Sequence, residues 1–152
     1  MEGLTMAKTI LIYGSTTGNT EALSEHVAAG LKQGGADVTV KDVADAGVDE
    51  LASYDAIIFG CSTWGDGELQ DDFIDFHADL DGASLDGKKA AVFGPGDSDD
   101  YPDTFCEAVN ILEKTLKDSD AEIVAESFKI DGDVEPAFGD AEAWGTKVAG
   151  AL

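Results

Sequence analysis

Five short apolar runs alternate with segments of helical periodicity, and this alternation limits the fold more than any other feature of the sequence. The runs have the length of β-strands and occupy residues 8–13, 37–42, 54–60, 88–94 and 121–130. Such alternation specifies an α/β fold, in which a doubly wound parallel sheet carries helices on both faces. The first, third and fourth runs are almost wholly apolar, which is typical of central strands.

Between these runs, apolar side chains recur three or four residues apart, as they do along the buried face of a helix. The predicted helices carry Leu23, Val27 and Leu31; Phe73, Phe76, His77 and Leu80; Phe105, Val109, Leu112 and Leu116; and Ala141, Trp144 and Val148. Only a short helical turn near residues 48–52 is expected in the second crossover. Gly34-Gly35 should end the first helix, and Asp103 should cap the third.

The length of 152 residues suits one domain, and neither a repeat nor a linker divides the chain. Met6 is an alternative start, so we expect residues 1–5 to be a disordered tail and residues 6–152 to form the single domain. Residues 1–9 lack the basic start and apolar stretch of a signal peptide, and no apolar run is long enough to span a membrane. We therefore expect a cytoplasmic protein.

The charge balance excludes whole classes of partner. The chain has 32 acidic residues against 9 lysines, no arginine, and a net charge of −23. Nucleic acids and anionic membranes are bound through Lys and Arg, so neither is an expected ligand. The acidity has two explanations that the sequence leaves open, namely solubility and attraction to basic partner proteins.

The cysteines and histidines form no recognisable metal or redox motif. Cys61 and Cys106 lie far apart and are expected to be small buried residues in a reducing compartment. His26 and His77 fall in predicted helices, where a solvated or packed side chain is the ordinary outcome. No metal site is predicted.

Ligands of open α/β sheets bind beyond the carboxyl ends of the strands, where the winding reverses. The loops at residues 14–19, 61–68 and 94–103 occupy these places. The first has hydroxyl or amide side chains at five positions, Ser15, Thr16, Thr17, Asn19 and Thr20, and leads into a helix. It lacks the lysine of a P-loop and the second glycine of a dinucleotide-binding loop. A polar turn with an N-cap is the alternative, but so many donors at a helix start favour a phosphate site.

The second and third loops each combine glycines with one aromatic residue. Trp64 precedes Gly65 and Gly67, and Tyr101 follows Gly94 and Gly96. Alone, Tyr101 would be an ordinary surface tyrosine. Two aromatic side chains on adjacent loops beside a phosphate site instead predict that a planar ligand stacks between them.

The segments STTGNT, GCSTWGD and FGPGD occur in this order on these elements, and with them almost the whole chain resembles a short-chain flavodoxin. The resemblance implies a five-stranded sheet of order 2-1-3-4-5 and one non-covalent FMN. It implies that the FMN phosphate is held by Ser15, Thr16, Thr17, Gly18, Asn19 and Thr20. It further implies that Trp64 and Tyr101 flank the flavin ring. The other implied contacts are the backbone near Thr63, Gly65, Asp97 and Cys106, with Ser62 at the start of the second loop.

The resemblance also implies a function in electron transfer rather than catalysis. A monomeric, low-potential carrier would pass single electrons through a neutral flavin semiquinone. Its partners would be basic redox proteins such as cytochromes, together with reductases or oxidoreductases. Because the phosphate loop has no cation and the neighbouring loops are acidic, we expect the reduced flavin to be a strong donor.

Two other functions are compatible with a fold of this kind. An NAD(P)H-dependent quinone or FMN reductase is the alternative, although such enzymes often use Arg for the nucleotide phosphates and this chain has none. A phospho-accepting receiver domain would need acidic residues where the chain has Gly14-Ser15 and Gly60-Cys61, so it is excluded.

Overall fold

The computed structural model describes residues 8–14, 19–61, 63–64, 68–69, 71–80, 84–96, 107–131 and 135–152. Its centre is a parallel sheet whose strands lie in the order β2 (Asp37–Asp42), β1 (Lys8–Gly14), β3 (Ala56–Cys61) and β6 (Lys89–Gly96). Two short segments, β7 (Glu122–Ile123) and β8 (Phe128–Asp131), both pair with β6. Counted as one interrupted strand, they complete the predicted order 2-1-3-4-5. A separate antiparallel pair, β4 (Thr63–Trp64) and β5 (Glu68–Leu69), follows β3.

In the described parts of the chain, four α-helices cover the sheet from both sides. Residues Ile10, Ile12, Ile57 and Phe59 of the central strands share one buried cluster with α2 (Asp71–Leu80) and α3 (Glu107–Asp118). Leu11, Ile58, Ala91 and Phe93 share the other with α1 (Asn19–Gln33) and α4 (Phe138–Gly150). Because neighbouring residues of a strand point to opposite faces, this division confirms the doubly wound sheet.

The predicted helix faces are buried as expected. The buried residues are Leu23, Val27 and Leu31; Phe73, Phe76 and Leu80; Val109, Leu112 and Leu116; and Ala141, Trp144 and Val148. His77 is only partly buried. Its Nε2 lies 2.8 Å from the hydroxyl of Thr115, which joins α2 to α3. The turn expected near residues 48–52 is a 3-10 helix, Val48–Ser53. Phe105 and Asp103 lie outside the described residues.

The fifth predicted strand is interrupted, and α4 explains the break. The backbone carbonyl of Glu126 accepts a hydrogen bond from the Trp144 indole at 2.9 Å, and Phe128 stacks on the same indole. Ser127 donates to Glu113 of α3 at 2.7 Å. Residues 124–127 therefore bridge the two helix layers, and the single strand predicted over 121–130 is wrong at this point.

The ends of α1 and α3 show the same backbone motif. The Gly35 and Ala36 amides bond to the carbonyls of Lys32 and Leu31, both at 3.0 Å, and Gly35 has φ +99. This confirms that Gly34-Gly35 ends α1. At the end of α3, Asp120 takes the corresponding left-handed position with φ +73. No helix in the described parts of the chain is both long and apolar enough to cross a bilayer.

Candidate cofactor site

The three loops singled out from the sequence start side by side. Gly14 at the end of β1 pairs with Cys61 at the end of β3, and Gly60 pairs with Phe93 of β6. These positions lie at the carboxyl edge of the sheet, where the winding reverses between β1 and β3. The fold therefore brings the loops together as the sequence analysis requires.

Close backbone approach at this edge depends on Gly94. A Cβ placed there would lie 2.9 Å from Val109 Cγ2 and 3.1 Å from the carbonyl carbon of Cys61, with the Cys61 oxygen nearer still. Gly60 is equally confined, because a Cβ would meet the Phe93 ring at 2.7 Å from Cε2. The two glycines let the end of β3 lie in direct contact with β6, two residues before that strand ends at Gly96.

The first predicted loop lies between β1 and α1. Ser15, Thr16, Thr17 and Gly18 lie outside the described residues, while Asn19 and Thr20 form the first turn of α1. Thr20 is buried, and the buried Ser24 hydroxyl donates to its carbonyl at 2.7 Å. The unpaired amides of a first helical turn, together with the helix dipole, provide an anion site. The described part of this loop thus fits a phosphate group.

A hydrogen bond that the sequence analysis missed joins the two sides of this loop. The Tyr13 hydroxyl donates to Glu21 Oε2 at 3.0 Å. Burial, and then the carboxylates of Glu21, Asp42 and Glu25, raise the pKa of Tyr13 to about 12. The sequence features that could have predicted this bond are a polar residue at the end of β1, Tyr13, and an acidic residue in the first turn of α1, Glu21.

The second predicted loop is partly a β-ribbon. Thr63 pairs with Leu69, and Trp64 pairs with Glu68, so the chain turns back on itself directly after β3. Ser62 and Gly65 lie outside the described residues. The third loop starts later than predicted, because β6 continues to Gly96 by pairing with β8. Asp97, Tyr101 and Cys106 also lie outside the described residues.

The lysines are placed mainly at the opposite edge of the sheet. Lys8 and Lys89 begin β1 and β6, and Lys88 immediately precedes β6. Three more lie in the last turns of helices that return the chain to that edge, namely Lys32, Lys117 and Lys147. The Lys89 ammonium reaches the Ala151 carbonyl just beyond α4, at 3.4 Å. Six of the 9 lysines are thus remote from the candidate site.

Acidic residues lie at both edges, and several of them begin helices. Glu21, Glu107 and Asp140 occupy the first turns of α1, α3 and α4, and Asp71 begins α2. All four described helices start at the carboxyl edge, since each follows a strand of the parallel sheet or the ribbon after β3. The candidate site therefore lies at an edge where helices begin with acidic residues. The first turn of α1 contains no lysine, so an anion bound there would be held by neutral donors and the helix dipole.

Comparison with known proteins agrees with the fold. A flavodoxin family model matches residues 11–144. Flavodoxin of Maridesulfovibrio salexigens is 46% identical over 147 residues, covering 95% of this chain and 98% of that protein. Flavodoxin of Nitratidesulfovibrio vulgaris is 42% identical over 150 residues, covering 97% and 100%.

Solved structures give the same result. Oxidised flavodoxin 1 of Bacillus cereus superposes with a TM-score of 0.89 at 36% identity, covering 96% of this chain and 99% of that one. A Fusobacterium nucleatum flavodoxin solved with flavin mononucleotide has the same fold, with a TM-score of 0.78 at 18% identity and coverage of 93% and 96%. With a family model over most of its length and relatives above 40% identity across nearly all of it, the chain belongs to the flavodoxin family.

Proposed function

We propose that the protein is a cytoplasmic, monomeric electron carrier that holds one non-covalent FMN in residues 6–152, with residues 1–5 as a tail. Family membership supports FMN and electron transfer. The observation that carries the proposal is the meeting of Gly14, Cys61 and Gly94 at one edge, beside the first turn of α1. When bound, FMN supplies the one-electron chemistry, and the protein supplies binding and electrostatics.

The phosphate would lie at the start of α1. Asn19 and Thr20 belong to the first helical turn, and we propose that Ser15, Thr16, Thr17 and Gly18 complete the cradle. Backbone and hydroxyl donors at a helix start bind phosphate without a cation. We propose further that Trp64 and Tyr101 flank the ring. Contacts to the ribityl chain and ring edges would come from Ser62, Thr63, Gly65, Asp97 and Cys106.

The charge distribution favours a low reduction potential. Reduction adds negative charge to the flavin, and the candidate site lies at the edge where four helices begin with acidic residues. One unit charge at 10 Å in water costs roughly 0.4 kcal/mol, so four such charges oppose the added electron by about 1.7 kcal/mol before salt screening. A lysine near the flavin offsets part of this cost. Six of the 9 lysines lie at the opposite edge, while Lys129 pairs with Gly94 at this one.

The same charge distribution suits basic redox partners. An acidic edge attracts a basic protein, such as a cytochrome, and presents the edge that carries the flavin. Reductases and oxidoreductases are the other expected partners. If this attraction operates, the rate of electron transfer to a basic cytochrome should fall steeply with ionic strength in stopped-flow measurements. A flat profile would leave solubility as the reason for the acidity.

The cofactor itself provides the decisive test. Purified protein is expected to be yellow, to release FMN on acid extraction in a ratio of about one per chain, and to quench flavin fluorescence through ring stacking. Recovery of FAD, or of no flavin after reconstitution, would refute the proposal. The alternative, an NAD(P)H-dependent quinone or FMN reductase, is tested by NADPH oxidation with a quinone. Turnover of NADPH in that assay would favour the enzyme.

A further inference from the structure

Tyr13 and Glu21 lie on either side of the candidate phosphate loop and are joined across it. Tyr13 is the penultimate residue of β1, and Glu21 lies in the first turn of α1. The Tyr13 hydroxyl donates to Glu21 Oε2 at 3.0 Å. The two side chains thus join the end of β1 to the start of α1.

The Tyr13 phenol remains a donor well above neutral pH. Burial is the main cause that raises the pKa of Tyr13 to about 12, and the nearby carboxylates of Glu21, Asp42 and Glu25 add to it. The phenol therefore keeps its proton. Because a carboxylate accepts the hydrogen bond, the bond is charge-assisted and stronger than a neutral one.

Each end of the segment from Tyr13 to Glu21 is anchored within its own element. Gly14 pairs with Cys61 of β3, which holds the strand side. Thr20 is buried and its carbonyl accepts from Ser24, which holds the helix side. What the Tyr13–Glu21 bond adds is the position of the first helical turn relative to the strand end. A cradle of backbone amides loses affinity when its donors move by a fraction of an ångström.

Glu21 also brings a negative charge into the helix turn that would receive the phosphate. A carboxylate there is favourable for the empty helix but repels a bound dianion. The hydrogen bond from Tyr13 engages one of its oxygens and holds the side chain in place. The pair thus has two separable effects on a bound phosphate, one of position and one of charge.

We propose that Tyr13, acting through Glu21, is a positioning residue that sets how strongly the site prefers a flavin carrying a phosphate monoester to one without it. The inference rests on the proposed function and deepens it. It concerns only the phosphate end of the ligand. Both residues flank the β1–α1 connection and do not belong to the second and third loops, which are proposed to flank the flavin ring. Its signature is a change in preference for FMN over riboflavin.

The test is equilibrium dialysis of the holoprotein against mixtures of FMN and riboflavin, with bound flavins identified by chromatography. The ratio of the two bound flavins isolates the phosphate contribution and cancels general effects on the fold. Tyr13→Phe keeps the aromatic ring and removes only the donor, so we expect the preference for FMN to fall, by up to about five-fold where the whole net worth of the bond, about 1 kcal/mol, is felt only with the phosphate bound. Urea unfolding checks that the variant is folded.

Two further variants separate position from charge. In Glu21→Gln the amide oxygen still accepts from Tyr13 while the charge is gone, so the preference should rise, by about two-fold at low salt. Tyr54→Phe is the matched control: this tyrosine precedes β3 at the other edge of the sheet, and the ratio should stay at the parent value.

Each outcome decides the matter. An unchanged ratio in Tyr13→Phe, or an equal loss of FMN and riboflavin, would overturn the inference while leaving the proposed function intact. If the parent protein retained no FMN at all, the proposed function would fail and the inference with it. A selective loss of FMN in Tyr13→Phe, absent from Tyr54→Phe, is the expected result.

Discussion

Replacing Gly94 by alanine would insert a methyl group between the ends of β3 and β6. The added Cβ would lie 2.9 Å from Val109 Cγ2 and closer still to the Cys61 oxygen, whereas ordinary contact begins at 3.4 Å. The oxygen belongs to the backbone and cannot rotate away, so the two strand ends must separate by on the order of 1 Å. Overpacking of this kind costs about 3 kcal/mol of unfolding free energy.

Part of this cost should appear as lost flavin affinity. Flavin binding should require the original spacing of Cys61 and Gly94, whereas the free protein can relieve the strain by letting these residues separate. If half of the strain is felt only in the bound form, about 1.4 kcal/mol, the dissociation constant rises roughly ten-fold. The loops after β3 and β6 are proposed to flank the flavin ring, which FMN and riboflavin share. The affinities for FMN and riboflavin should therefore fall together. This pattern differs from the phosphate-selective effect expected of Tyr13→Phe.

The measurements are urea unfolding and flavin titration followed by fluorescence quenching. Gly139→Ala is the matched control, since nothing lies within 4 Å of a Cβ at this exposed position of α4. It should raise the unfolding free energy by about 0.5 kcal/mol, as Gly→Ala does in helices, and leave both affinities unchanged. Parent-like stability and affinity in Gly94→Ala would refute the idea that this close approach shapes the site.

Three other changes test the fold and its titration. Gly30→Ala should cost about 3 kcal/mol in urea unfolding, because its Cβ would lie 2.8 Å from the Glu142 carbonyl carbon on α4; a loss below 1 kcal/mol would contradict this close packing. Asp120→Gly should raise the unfolding free energy by about 1 kcal/mol in the same assay. Glycine adopts the φ of +73 without strain, and the change removes a carboxylate from a helix C-terminus. A lower unfolding free energy would contradict this. The pKa of Tyr13, about 12, exceeds the usual 10.0, so the folded state keeps a proton that the unfolded chain loses. The stability this provides below pH 10 should be lost as the pH rises to 12, and this loss should be smaller in Tyr13→Phe. The ¹³Cζ resonance of Tyr13 should titrate near pH 12.

The alternation of strands and helices and the buried helix faces could be predicted because each depends on a short-range pattern, whereas the sheet order came from the resemblance to flavodoxins. Leu23, Val27 and Leu31 repeat with the helical period, and all three are buried. The interruption of the last strand could not be predicted in this way. It depends on the Trp144 indole reaching the Glu126 carbonyl, a contact between elements whose relative position the sequence pattern does not contain.

The candidate site, too, could be predicted from the sequence only in part. Its location follows from strand order, and its chemistry follows from loop composition, so both were accessible from the sequence. The fit of Gly94 against Cys61, and of Gly30 against Glu142, was not, because each pairs a glycine with a backbone atom at least 33 residues away. A single sequence shows that a residue is glycine, but not which distant backbone atom packs against it. The Tyr13–Glu21 bond is intermediate, since the two residues are close in sequence and flank a loop already marked as functional.

The acidic first turns near the phosphate loop have a local cause. Acidic residues in first helical turns and lysines in last turns each stabilise their own helix dipole. In a parallel sheet with returning helices, first turns lie at one edge and last turns at the other. The charges are not fully separated in this way, because Asp118 and Asp120 lie at the end of α3 and Lys129 pairs with Gly94 at the candidate-site edge. At the first turns themselves, helix stability and a low flavin potential favour the same residues.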